Sequence, residues 1–184
     1  MAFASAEDLR LWMRHPAFTT DQTETAELLL DLATGRIEDE ARQPLEESTD
    51  TVTLDGSGTA RLLVPRWPVS DVATVTLLED GTTLTEGLTE DYTWSSAGIL
   101  IRRGARAWPA HEAAVEVTYT AGYDPIPMAL KHIALRLADS VWDNPDGKTQ
   151  EQIGDWMRQW SQNVAAAQLD ASELRTISAY GARP

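Results

Sequence analysis

Cysteine is absent from the 184 residues, which excludes disulfide staples, thiolate zinc sites, iron–sulfur clusters and a cysteine nucleophile. Long apolar runs are also lacking. No stretch is long enough to span a bilayer, and Met1 to Asp8 carry neither the basic start nor the apolar run of a secretory signal. A soluble, unexported chain is expected. Basic charge is scarce: 29 acidic residues face 15 basic ones, for a net charge of −14. That balance disfavours any nucleic-acid binding that depends on a basic surface neutralising phosphates. The shortage is uneven, with 11 acids and 4 bases in residues 1–49, 11 and 5 in 50–124, and 7 and 6 in 125–184. The last third is therefore nearly neutral. A bias of this kind ordinarily serves solubility. Against these absences, 42% of residues are apolar, enough to bury a core in one domain or in one core with an inserted subdomain.

Ser5, followed by Glu7 and Asp8, has the pattern of an N-cap with acids in the first turn, opening a short helix through Leu9, Trp12 and Met13 that Pro16 ends. Thr20 and Asp21 can cap a longer helix, in which Ala26, Leu29, Leu30, Ala33, Ile37 and Ala41 recur at three- and four-residue spacing up to Pro44. Gly35 weakens that helix by about 1 kcal/mol relative to alanine. From Asp50 the apolar period becomes twofold. Thr51 to Leu54 and Ala60 to Val64 flank Asp55-Gly-Ser-Gly58, which predicts a hairpin. Val72 to Glu79 meets Asp80-Gly81 and returns through Thr82 to Thr85 as a second hairpin. Tyr92 to Trp94 and Ile99 to Arg102 form a third pair, closed by alternating residues from Val115 to Thr120. Pro125 and Pro127 then lead into one helical stripe of Leu130, Ile133, Ala134, Leu137, Ala138 and Val141. Asn144-Pro-Asp-Gly147 breaks it. Thr149 with Gln152 reads as a capping box for a helix through Ile153, Trp156, Met157, Trp160 and Val164, giving an αα-hairpin. Asp170 with Glu173 repeats the capping-box pattern before Leu174, Ile177 and Tyr180. The expected fold class is α+β: a helical bundle with an inserted small antiparallel β subdomain and a C-terminal tail or short helix. Its expected parts are bundle helices in 1–49, the β subdomain in 50–124, a helical hairpin in 125–168 and a terminal segment in 169–184.

The search for chemistry returns little. His15, His111 and His132 stand on three different elements without a ligand-spaced partner, so each is best read as a structural or surface histidine. Asp143, Asp146 and Gly147 faintly suggest a calcium loop, but its twelfth position from Asp143 is Gly154 where a bidentate glutamate is required. Gly56-Ser-Gly58 lacks the lysine or third glycine of a phosphate cradle. No serine lies in a nucleophile elbow, and the acid pairs Glu46-Glu47 and Glu90-Asp91 sit beside turns, where solvated charge explains them. No enzyme, cofactor or metal is expected. Among the seven tryptophans, Trp156 and Trp160 share a face if that segment is helical, and serve as core or subunit contact. Trp67 and Trp108 precede prolines and are expected as loop covers at the sheet edge.

Specific phrases, in order, resemble the head-to-tail connector family of long-tailed bacteriophages, also called head-completion or adaptor proteins. The most telling is Val117-Thr-Tyr-Thr-Ala-Gly-Tyr-Asp-Pro-Ile-Pro-Met-Ala-Leu130, followed by Asn144-Pro-Asp-Gly147. Leu28 to Pro44, with Leu32-Ala-Thr-Gly-Arg-Ile37, is similar to the family's early helix. Leu63-Val-Pro-Arg-Trp-Pro-Val69 before Val72-Ala-Thr-Val75, and Gly98-Ile-Leu100, are similar to its hairpin phrases. These cover most of the chain from about Ala26 onward.

The resemblance implies a structural virion protein at the neck, assembled in the bacterial host cytoplasm as a ring, by the family pattern a dodecamer, beneath the portal protein. Its implied partners are the portal, neighbouring copies and the next neck or tail-completion protein, with DNA passing through the lumen unbound and no membrane involved. A lumen lined by acids would repel phosphate. The C-terminal segment of such proteins reaches the portal, which nominates Leu169, Leu174, Arg175, Ile177 and Tyr180 as portal-binding residues, on a segment that gains little by folding alone. Trp156 and Trp160 are nominated for the subunit interface. Another neck or tail-completion ring is the alternative within virions. A carbohydrate-binding or adhesion module stays open on the tryptophans, and an acid-dependent hydrolase on the carboxylates.

Overall fold

The computed structural model describes residues 2–144, 150–153, 156–159 and 168–182. Among them the fold is α+β, as expected, and divides into two compact units: Met1–Gln43 with Pro125–Arg183, and Pro44–Asp124. The second is inserted in sequence between two helices of the first.

The helical unit contains α1 (Ala6–Trp12), α2 (Thr20–Ala41), α3 (Met128–Asp143) and α4 (Ala171–Ser178). Three of the four open on a capping box, Ser5 with Asp8, Thr19 with Gln22 and Asp170 with Glu173, so that side chains satisfy backbone donors the first turn leaves orphaned. α2 starts one residue earlier than Thr20 as cap would allow, and ends on Arg42 at φ 57°. Its line Ala26, Leu30, Ala33, Ile37 and Ala41 is buried, as are Leu130, Ile133, Ala134, Leu137 and Ala138 of α3. Leu9, Leu30, Leu135 and Ala138 form one core cluster, against which Phe18 and Trp142 pack as a stacked pair with ring centroids 5.1 Å apart.

The segment expected as the second arm of an αα-hairpin differs. Gln150–Ile153 (β8) and Trp156–Gln159 (β9) are antiparallel strands, with Ile153 opposite Trp156. The sequence between them, Gly154-Asp155, is a dipeptide of the kind that favours two-residue hairpin loops, and it competes with the upstream capping box. The remaining expectations for this stretch, Trp160 and Val164 included, fall outside the described residues.

The β unit has two sheets. β1 (Ser48–Leu54), β7 (Val115–Ala121), β3 (Val69–Leu77) and β4 (Thr82–Thr83) lie in the order β1-β7-β3-β4, and β2 (Arg61–Leu63), β6 (Ile99–Arg102) and β5 (Tyr92–Ser95) in the order β2-β6-β5, with antiparallel neighbours throughout. The second and third expected hairpins are present as β3–β4 and β5–β6. The first is not: β1 pairs with β7, Val52 against Val117, and β2 pairs with β6, Leu62 against Leu100. The glycines after β1 serve close backbone approach instead of a tight turn. Gly56 N–H donates to His111 O at 2.9 Å and Gly58 N–H to Pro109 O at 3.0 Å, and a Cβ on Gly56 would stand 2.0 Å from Pro109 O. Val69, Val72, Val75, Tyr92, Leu100, Val117 and Tyr119 fill the core between the sheets. Trp108, expected as a cover, is buried among them, and the Arg102 guanidinium lies 5.4 Å from its ring centroid.

Candidate interaction surfaces

The segment nominated for docking is integral to the helical unit. Asp170 accepts the Ser172 and Glu173 amides at 2.7 and 2.8 Å, while Glu173 Oε2 accepts the Asp170 amide at 2.9 Å. Glu173 is buried and meets Arg136 of α3 through both carboxylate oxygens, with Arg136 Nη2 2.6 Å from Oε2 and donating also to Gln168 O at 3.0 Å. Bonds from Ser172 and from the Glu173 amide, with Arg136 nearby, hold the Asp170 carboxyl below its ordinary range. Farther along, Gln43 Nε2 donates to Tyr180 O at 2.7 Å and Ala182 N–H to Ala41 O at 2.7 Å, the latter occupying a carbonyl left open at the end of α2.

The nominated residues therefore separate. Ile177 is fully buried in its own unit, so its apolar surface is already satisfied there and the expectation that this segment gains little by folding alone is corrected at that residue. Leu169, Leu174 and Tyr180 are half-buried, and Arg175 is exposed. Trp156 lies in β9, so the helical i, i+4 argument joining it to Trp160 does not hold there.

Each histidine has neighbours of its own. His15 Nδ1 lies 3.0 Å from Pro16 O, His111 Nε2 lies 3.7 Å from Glu79 in the β unit, and His132 meets the edge of Trp12 at 5.2 Å. Among the described residues no group of three or more His, Asp or Glu side chains is placed to hold a metal. A shallow groove of about 670 Å³ beside α2 is lined by Ala2, Ala4, Ser5, Ala6, Glu27 and Asp31. It offers two carboxylates and one capping serine, which is no catalytic constellation.

Two features escaped sequence reasoning. Arg66 is buried and ties its own loop to two other segments of the β unit, residues 44–50 and the end of β7: its guanidinium pairs with Asp50 and donates to Ser48 Oγ at 2.7 Å, Glu46 O at 2.9 Å, Ala121 O at 3.0 Å and Pro44 O at 3.3 Å. Nothing local in Pro65-Arg66-Trp67-Pro68 signals that role. The second is the outward face of α2, where Leu28 and Leu32 are 59% and 62% exposed. Its signal was present, since Leu28, Leu29, Leu30 and Leu32 are more leucines than one helix face can bury.

No protein-family profile and no curated protein sequence matches this chain. Solved structures do. A chain in the neck of an empty gene transfer agent (GTA) particle, computed with C6 symmetry, is similar with a TM-score of 0.53 and 17% identity, covering 83% of each chain. A chain of the native gene transfer agent virion is similar with a TM-score of 0.57 and 19% identity, covering 82% of this chain and 83% of that one. The likeness is one of fold.

Proposed function

We propose that this chain is a structural, non-catalytic protein of a phage-like virion neck, acting as one subunit of a connector ring between portal and tail. The observation that carries the reading is the fold shared over 83% of both chains with a chain of a gene transfer agent neck. The ordered phrases from Ala26 onward point the same way independently of the coordinates. In this reading the ring completes the head after packaging, presents an acidic lumen that repels DNA phosphate, and offers a platform for the tail. Six-fold averaging is compatible with six or with twelve copies, so ring size is a quantity to measure.

Docking to a portal would use the outward side of the C-terminal segment, with Arg175 as its exposed charge and Leu169, Leu174 and Tyr180 as its half-buried apolar part. Ile177 would act only by holding α4 in place. Truncation at residue 168 is consequently a poor test, because it strips Ile177 and Glu173 from the helical unit. The variant Arg175→Glu with Leu174→Ser leaves both in place. Electron microscopy of the cognate portal mixed with wild-type protein is expected to show an added ring at its tail-facing end, and with this variant to show bare portals. Undecorated portals at saturating wild-type protein would overturn the portal adaptor.

The second reading, another neck or tail-completion ring, is favoured by one specific observation: the terminal segment is packed into its own unit by Ile177, Glu173 and Gln43 instead of extending outward. Decoration of tail-tube ends in place of portals would select it.

A further inference from the structure

The outward face of α2 centres on Leu28 and Leu32, opposite the buried line through Leu30 and Ile37, and Asp21, Glu24, Asp31 and Asp39 surround the two leucines in the exposed helical projection, with Arg36, paired to Glu40, beside Leu32. Gly35 lies on the same face. A Cβ added there would meet nothing within 4 Å, so alanine would be accommodated and would favour the helix. Among the described residues nothing calls for a glycine at this position, whereas a partner seated closely on α2 would.

The β unit presents the opposite surface. Alternation along β2 and β6 turns Leu62 and Leu100 inward, which leaves Leu63, Ile99 and Ile101 on the outer face, with Leu63 paired to Ile99 and Arg61 to Ile101. Leu63 is 59% exposed. Arg61 and Arg103 flank this apolar patch, and among the described residues no carboxylate is paired with either. In a chain of net charge −14, one exposed apolar face is rimmed mainly by acids, while the other carries Arg61 and Arg103 and its neighbouring acid, Asp91, is already paired with Arg106.

We infer that these faces are the two halves of a head-to-tail contact between copies of this chain: the outward face of α2 in one copy lies on the outer face of the β2-β6-β5 sheet in the next. The inference rests on the ring reading and deepens it. Self-complementary charge on two different surfaces of one molecule generates a heterologous contact, the type that closes into rings. Two leucines against one small sheet face fall well short of the roughly 1,200 Å² of a stable interface. The free protein is thus monomeric at ordinary concentration, and the contact forms where a platform holds copies side by side.

The natural chain has no cysteine, so a site-specific crosslink reads the contact directly. Leu32→Cys and Leu63→Cys are made singly in the full chain, mixed, and oxidised both on cognate portals and in concentrated solution. The expected product is a covalent dimer that appears only in the mixture. The doubly substituted chain is expected to give a ladder of higher oligomers. Gly35→Leu is expected to leave the monomer's melting temperature unchanged or higher while suppressing the crosslink, and Arg61→Glu with Arg103→Glu to reduce it roughly tenfold or more. Decorated portals without the crosslink would overturn this contact and leave the ring reading standing. Undecorated portals with the crosslink formed in solution would overturn the portal adaptor and leave this contact standing. Absence of the crosslink in both settings, or a double variant that closes as a monomer, overturns the inference.

Discussion

The helical unit is built from two distant pieces of chain yet its helices open on short-range devices, while the β unit is one continuous stretch yet is secured by a long-range one. In the helices, each capping box joins two residues only three positions apart in the sequence. In the sheets, one buried arginine joins backbone from Pro44, Glu46 and Ala121 with the side chains of Ser48 and Asp50. Continuity along the chain and locality of the stabilising interaction are separate properties.

The sharpest way to break this comparison is Arg66→Met. Removing the guanidinium strands the buried Ala121 carbonyl and takes a donor from the part-buried Pro44 and Glu46 carbonyls, from Ser48 and from the Asp50 carboxylate, so a summed loss of about 3–5 kcal/mol is expected. Hydrogen exchange should show protection lost in residues 45–124 while α2 and α3 keep theirs. Equal loss in both units would mean that they unfold as one body and that the contrast is mistaken. Next in size is Ile177→Ala, expected to cost about 3 kcal/mol by emptying a fully buried site, with the effect on urea unfolding confined to the helical unit. Ser5→Ala, which removes the α1 cap, should cost about 1 kcal/mol in the same measurement. A larger effect than Ile177→Ala would show that caps, not packing, carry this unit.

The smallest effect is on pH dependence. Partial burial pushes the Asp8 carboxyl up, but bonds from Ser5 and the Lys131 ammonium at 2.9 Å outweigh it, leaving the group below its ordinary range, as Asp170 also is. A folded-state value below the unfolded one gives stability that is present above the unfolded pKa and lost as pH falls through the folded one. Thermal melts of the helical unit should therefore be flat near neutrality and decline only at acid pH, below the ordinary carboxylate range. Asp8→Asn should shallow that decline.

Much of this molecule is legible along the chain because its signals are local. Ser5, Asp170 with Glu173, and the Leu130 to Ala138 stripe each declare a helix within one or two turns, and Asp80-Gly81 declares its hairpin within two residues. Legibility fails where two local signals compete or where the partner is remote. Thr149 with Gln152 has the same capping grammar as Asp170 with Glu173, yet strands occupy Gln150–Ile153 and Trp156–Gln159. The stretch Thr51 to Val64 reads as a hairpin, but β1 takes its partner from β7, more than sixty residues away.

The sequence by itself determined where α1, α3 and α4 begin and that a β unit interrupts the helices. Only the tertiary structure decided which strands pair, that Trp108 and Ile177 are interior while Leu28, Leu32 and Leu63 face outward, and that Arg66 is a buried hub. The physical reason is range. Capping and turn chemistry act over a few bonds of chain, whereas burial and pairing depend on which distant segments supply the opposing surface.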